Sequence, residues 1–187
     1  MYEFCFGRSK ICVSFSFLAL ISLMTALDTG IRSMLLVCIG CCVFHECGHL
    51  CAMLLFGSRP ESIILYGGGI LIKRRKGMIF SNFQDMIIYL SGPCANFILA
   101  FICYLFDHTE ICHYSLFCAV FNLLPFSYFD GGRALEALIP FSKLIVVIRA
   151  VFILVLALLC SVVFIDNGVN ISLLVTFLYI AVCELIT

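Results

Sequence analysis

Apolar residues fall into six runs, at 11–27, 34–56, 84–106, 112–124, 144–165 and 171–186, separated by short polar stretches. At a rise of 1.5 Å per residue, about 20 residues of helix cross a hydrocarbon core of about 30 Å, so these runs are too many and too long for one soluble core. The pattern predicts an all-α polytopic membrane protein with about six transmembrane helices. The fourth run supplies only about 20 Å of helix before Pro125 breaks it. Backbone that leaves a helix at membrane depth has to be buried in protein or line a wet cavity, which marks residues 125–132 as a place for a site. The longest polar stretch, 57–83, holds two β-rich segments around Gly67-Gly68-Gly69 and predicts a small membrane-associated β-hairpin after the second span. It reads either as a cytosolic surface loop or as a strand edge able to pair with an unwound substrate by β-addition.

Composition sharpens this picture. The chain has 187 residues, 64% hydrophobic and 12% charged, with a mean hydropathy of +1.19, where a soluble domain has roughly 45–50% apolar residues. No soluble domain, repeat or low-complexity tail interrupts it, so residues 1–187 read as a single membrane domain embedded in the lipid bilayer. The first run follows Arg8 and Lys10 as a signal peptide would, but Ala26-Leu27-Asp28 is a poor cleavage site and the next run begins almost at once. It reads as a retained span. With the N-terminus in the cytosol, ten of the eleven Lys and Arg residues lie at cytosolic ends and only Arg32 lies outside. No basic arm or aromatic-basic interleaving points to nucleic acid. The thirteen cysteines are odd in number, sit mostly inside apolar runs and form no paired CxxC framework, so they read as small buried hydrophobes.

The second run contains His45-Glu46-Cys47-Gly48-His49, an HExxH motif. Four residues on a helix turn through about 400°, so both imidazoles project from nearly the same face and can share one metal ion. Cys47 is rotated about 200° from His45 and points elsewhere. Glu46, about 100° from His45, can reach a water on the metal without ligating it. Three ionisable side chains in an apolar span are expensive, which makes them a functional-site hypothesis; the alternative is a hydrogen-bonded polar patch between helices. A catalytic zinc site needs a third protein ligand. Asp28, Asp107, Glu110 and Asp166 fall on the opposite side by the charge-based topology, and Asp85 and Glu136 lie at span edges. Asp130, just after the truncated fourth run, is the remaining choice; its alternative role is an N-cap for the helix starting near Gly132.

Three separated motifs together resemble the site-2 protease family of intramembrane metalloproteases. They are His45–His49, the Gly92-Pro93-Cys94-Ala95-Asn96 segment in the third run, and Asn122 through Gly131, matching HExxH, GPxxN and NxxPxxxxDG over about residues 34–139. The resemblance implies Zn²⁺ held by His45, His49 and Asp130, Glu46 as catalytic base, and Asn96 and Asn122 near the site holding substrate; in-span asparagines also pair helices by hydrogen bonds. Many members carry prolines where this chain has Ser127 and Tyr128. Within the family, the short first span, hairpin and six-span layout look most like the stage IV sporulation protease of the bacterial cytoplasmic membrane, which activates a membrane-tethered pro-sigma factor. That relative usually carries a CBS domain, and other members carry PDZ domains. Neither follows Leu185-Ile186-Thr187 here, so a regulator is expected to be a separate membrane protein.

The expected activity is zinc-dependent hydrolysis of peptide bonds in or beside transmembrane segments of membrane-tethered proteins, including pro-sigma or anti-sigma factors. With the second span starting outside near Met34, His45 lies about 17 Å and His49 about 23 Å along the helix, which places the cut near the cytosolic leaflet. Rivals are a catalytically silent scaffold of the same fold, an HExxH protease with a glutamate third ligand, for which Glu136 and Glu184 are the downstream candidates, and a metal transporter, which lacks a repeated ligand set.

Overall fold

The computed structural model describes residues 2–6, 9–26, 29–66, 69–74, 80–140, 142–167 and 171–186. Gly67 and Gly68 of the expected hairpin tip, and Arg8, Asp28, Arg75 and Lys76, lie outside the described residues. Most of each apolar run is helical: α1 (Phe15–Ala26), α2 (Thr29–Leu55), α3 (Asn82–Leu105), α4 (Thr109–Asn122), α6 (Lys143–Asn167) and α7 (Ile171–Ile186). A further short helix, α5 (Asp130–Leu138), follows the Pro125 break. Among the described residues three helices, within α2, α3 and α6, are long and apolar enough to cross a membrane. The other helices at apolar runs, α1, α4 and α7, have 12, 14 and 16 described residues. Large apolar side chains such as Phe101, Leu154 and Leu158 stand exposed on the helix surfaces, the distribution expected where the surrounding solvent is lipid.

Local chemistry sets the helix ends. Gly57 adopts φ +74° and closes α2, with its N–H bonded to the Leu54 carbonyl at 2.9 Å and the Ser58 N–H to the Met53 carbonyl at 2.9 Å. This is the left-handed glycine stop that satisfies the last carbonyls of a helix. Helix α3 starts with a reciprocal capping box in which the Ser81 hydroxyl accepts from the Gln84 N–H and the Gln84 side chain accepts from the Ser81 N–H.

The chain is mostly helical, as expected, and the expected hairpin is part of a larger four-stranded sheet. Strands β1 (Tyr2–Phe6), β2 (Ser9–Val13), β3 (Pro60–Tyr66) and β4 (Gly69–Arg74) lie in that order, with β2 parallel to β3 and the other pairs antiparallel. The expected hairpin is β3 and β4. Its outer side, an open row of backbone donors and acceptors, is closed by Lys10–Val13 pairing with Ser62–Leu65. The first apolar run therefore opens as a strand, and α1 keeps only 12 residues, about 18 Å of helix.

The interior is made by α2, α3 and α4. Ser115 and Ala119 of α4 are fully buried, and the Ser115 hydroxyl donates to the Asn96 carbonyl at 2.9 Å. Small residues let helices approach closely in a medium where hydrophobic burial does not drive their association.

The cysteine expectation needs revision. Cys12, Cys41 and Cys103 are buried, but Cys38, Cys42, Cys47, Cys51 and Cys94 are exposed, and all the described cysteines are free. In a bilayer an exposed thiol faces lipid, so apolar character does not require burial.

Candidate functional site

Helices α2 and α3 meet at glycines. A Cβ on Gly48 would fall 2.8 Å from the Ala95 Cβ, and one on Gly92 would fall 2.7 Å from Nε2 of His45 and collide with the imidazole of His49. The missing side chain at Gly92 is the space into which both imidazoles project. Pro93 removes one helical N–H from α3. Within the same turn the Ile88 carbonyl accepts from the Ser91 hydroxyl at 2.6 Å and from His49 Nδ1–H at 2.7 Å.

Asp130 arrives from the third element. The Cys118–Asn122 end of α4 turns at Pro125, Phe126 is buried, and α5 begins at Asp130. Tight turning there depends on Gly131 and Gly132, because a Cβ on either would collide with the Leu123 or the Phe126 carbonyl. The N-cap position belongs to Phe129, and no side chain caps the helix. The Asp130 carboxylate turns instead to the histidines: Oδ2 lies 2.8 Å from His45 Nε2 and 3.0 Å from His49 Nε2, and the two Nε2 atoms are 3.1 Å apart. Among the described residues this is the one His/Cys/Asp/Glu group able to hold a metal ion.

The donor set fits a divalent ion. The triangle of ligand atoms is close to one face of a tetrahedral site with bonds of about 2 Å. Donation from His49 Nδ1–H to the Ile88 carbonyl leaves the lone pair on Nε2, where a metal needs it. Asn96, fully buried, places its amide 3.2 Å from His45 Nδ1, while its Oδ1 has no partner. A half-turn of that amide, which conserves its shape, lets Oδ1 accept from Nδ1–H. The orphaned oxygen is then satisfied and His45 Nε2 is freed for the metal. Asn96 thus stands behind His45, and Asn122 donates to the Cys118 carbonyl at 2.9 Å and meets the Cys118 thiol at 3.5 Å.

Glu46 lines a cavity of about 270 Å³ together with His49 and Asp130, and the far wall includes Ile70, Leu71 and Ile72 of β4. Cys47, exposed on α2, is turned away from it. The rival glutamates are engaged elsewhere: Glu136 pairs with Arg149 at 2.5 Å, and Glu184 pairs with Arg149 at 3.1 Å. Asp85 pairs with Arg74 beside the cavity. Sequence reasoning placed Gly92 in a motif but did not find its role as space for the imidazoles, nor the Ile88 carbonyl or the structural use of Arg149 and Glu184. The last two carried a readable signal, since each is a lone charge in an apolar run.

Residues 33–111 match peptidase family M50. No curated protein matches the chain by sequence. Among solved structures the fold is similar to the site-2 protease from Methanocaldococcus jannaschii, with 21% identity, a TM-score of 0.62, and coverage of 96% of this chain and 92% of that one.

Proposed function

We propose that this chain, a member of the site-2 protease family (peptidase family M50), is an intramembrane zinc metalloendopeptidase cutting membrane-tethered proteins in or beside their transmembrane segments. The observation that carries the reading is the convergence of His45, His49 and Asp130, from α2 and α5, beside a cavity that also holds Glu46.

His45, His49 and Asp130 would hold the ion, with Zn²⁺ suited to two imidazoles and a carboxylate. When bound, such an ion supplies Lewis acidity that acidifies a water and polarises the scissile carbonyl. Glu46 takes the proton of the attacking water and returns it to the leaving amine, so one water is consumed and two new termini form. Asn96 holds the His45 ring through Nδ1, and the Ile88 carbonyl holds that of His49. The β4 edge beside the cavity offers backbone groups to an extended substrate segment, which favours addition of the substrate as a further strand. A substrate helix hides its carbonyls in internal hydrogen bonds and has to unwind before it is cut.

The charge-based topology puts the N-terminus in the cytosol and the cut near the cytosolic leaflet. A bacterial cytoplasmic membrane, pro-sigma or anti-sigma substrates and a separate regulatory membrane protein complete the proposal, all resting on the motif resemblance.

The test compares N-terminal peptides from membranes of cells carrying wild type or Glu46→Gln. The variant retains the ligands and lacks the base. New termini near span ends, present only with wild type, are expected; identical termini in both would favour a silent scaffold of this fold.

A further inference from the structure

Two charged residues of the C-terminal helices bracket the loop that delivers Asp130. Glu184 of α7 accepts from both the N–H and the hydroxyl of Ser127, at 3.1 and 2.9 Å, through one carboxylate oxygen. Its other oxygen meets Nε of Arg149 on α6 at 3.1 Å. Nε of Arg149 also donates to the Pro125 carbonyl at 3.1 Å, and its Nη2 to Glu136 on α5 at 2.5 Å. Arg149 therefore touches the chain on both sides of Asp130, five residues before it and six after. The Arg149 and Glu184 side chains are only 13% and 10% exposed.

Each residue is the one charge inside its apolar run, 144–165 or 171–186, where an unpaired ion is costly, so the pair binds its partners firmly. Ser127, three residues before Asp130, contributes no apolar anchor of its own. Neither α6 nor α7 gives a ligand to the metal group. Their polar contacts with residues 125–136 instead restrict where the loop can place its carboxylate, and a ligand displaced by about 1 Å loses much of its affinity.

We infer that Glu184 and Arg149 are positioning residues, a clamp from the C-terminal helices that holds the Pro125–Ser127 backbone and thereby aims Asp130 at the two histidines. The inference rests on Asp130 being a metal ligand, and the experiment separates the two. The full chain, purified in detergent and stripped of metal, is titrated with Co²⁺, whose visible ligand-field bands report the ligand set. Wild type should bind, and Asp130→Ala should weaken binding and change the bands. Glu184→Ala should weaken Co²⁺ binding about tenfold and move the bands in the same direction as Asp130→Ala, within the 10–100-fold range for lost support of ligands. Glu184→Gln, which keeps an oxygen for Ser127, should retain wild-type bands.

Wild-type affinity and bands in folded Glu184→Ala would overturn the clamp while leaving the metal site intact. Absence of Co²⁺ binding by wild type would overturn both. If Glu184→Ala does not fold, Ser127→Ala, which removes one of the two hydrogen bonds, decides: a smaller shift in the same direction supports the clamp, and unchanged bands overturn it.

Discussion

At Gly92 a single methyl group would occupy the space of the His45 and His49 imidazoles, so its role is to be empty. Gly92→Ala is expected to weaken zinc binding at least about tenfold, read by competition with a chromophoric chelator. Asn96 makes a sharper case, because its buried amide faces His45 Nδ1. Asn96→Ala should lower metal affinity about 10–100-fold and leave KM for substrate nearly unchanged once the metal is saturating. A change confined to KM would return Asn96 to a substrate-holding role. Glu46→Gln should do the reverse of both: zinc titration as in wild type, with turnover reduced by about 100-fold or more.

Helix ends and crossings are the next scale. The left-handed Gly57 ends α2 just past the HExxH turn and sends the chain into β3, whose partner β4 walls the cavity. Any side chain there is strained, so Gly57→Ala should destabilise the fold by about 1–2 kcal/mol, measured by detergent-induced unfolding of the metal-free protein. The HExxH helix, the GPxxN helix and the chain break at Pro125 were legible from sequence, because each rests on consecutive residues, long apolar runs in the first two and a proline in the third; the tight turn at Gly131 and Gly132 was not. The length of α1 was not legible. Ile11, Cys12 and Val13 are equally apolar in a helix and in a strand, and their state was decided by an unpaired β3 edge some 50 residues away.

For the whole molecule, the cavity that Glu46 lines lies beside the β4 edge, and under the proposed activity a helical substrate has to open before it is cut. Replacing glycine or proline near the cut in a membrane-tethered substrate with leucine or alanine should slow cleavage several-fold, measured as product formed by coexpressed enzyme; equal rates would count against local unwinding. By itself the sequence determined the membrane class, the candidate ligands and base, and the break near Pro125, because hydropathy, helical spacing and motif order are properties of consecutive residues. Only the tertiary structure brought Asp130 within 3.0 Å of histidines more than 80 residues away, set Asn96 behind His45, completed the sheet with β1 and β2, and tied Arg149 and Glu184 to the Asp130 loop. Those contacts join distant segments, and their partners are chosen by helix packing and by the need to pair buried polar groups, which no local pattern specifies.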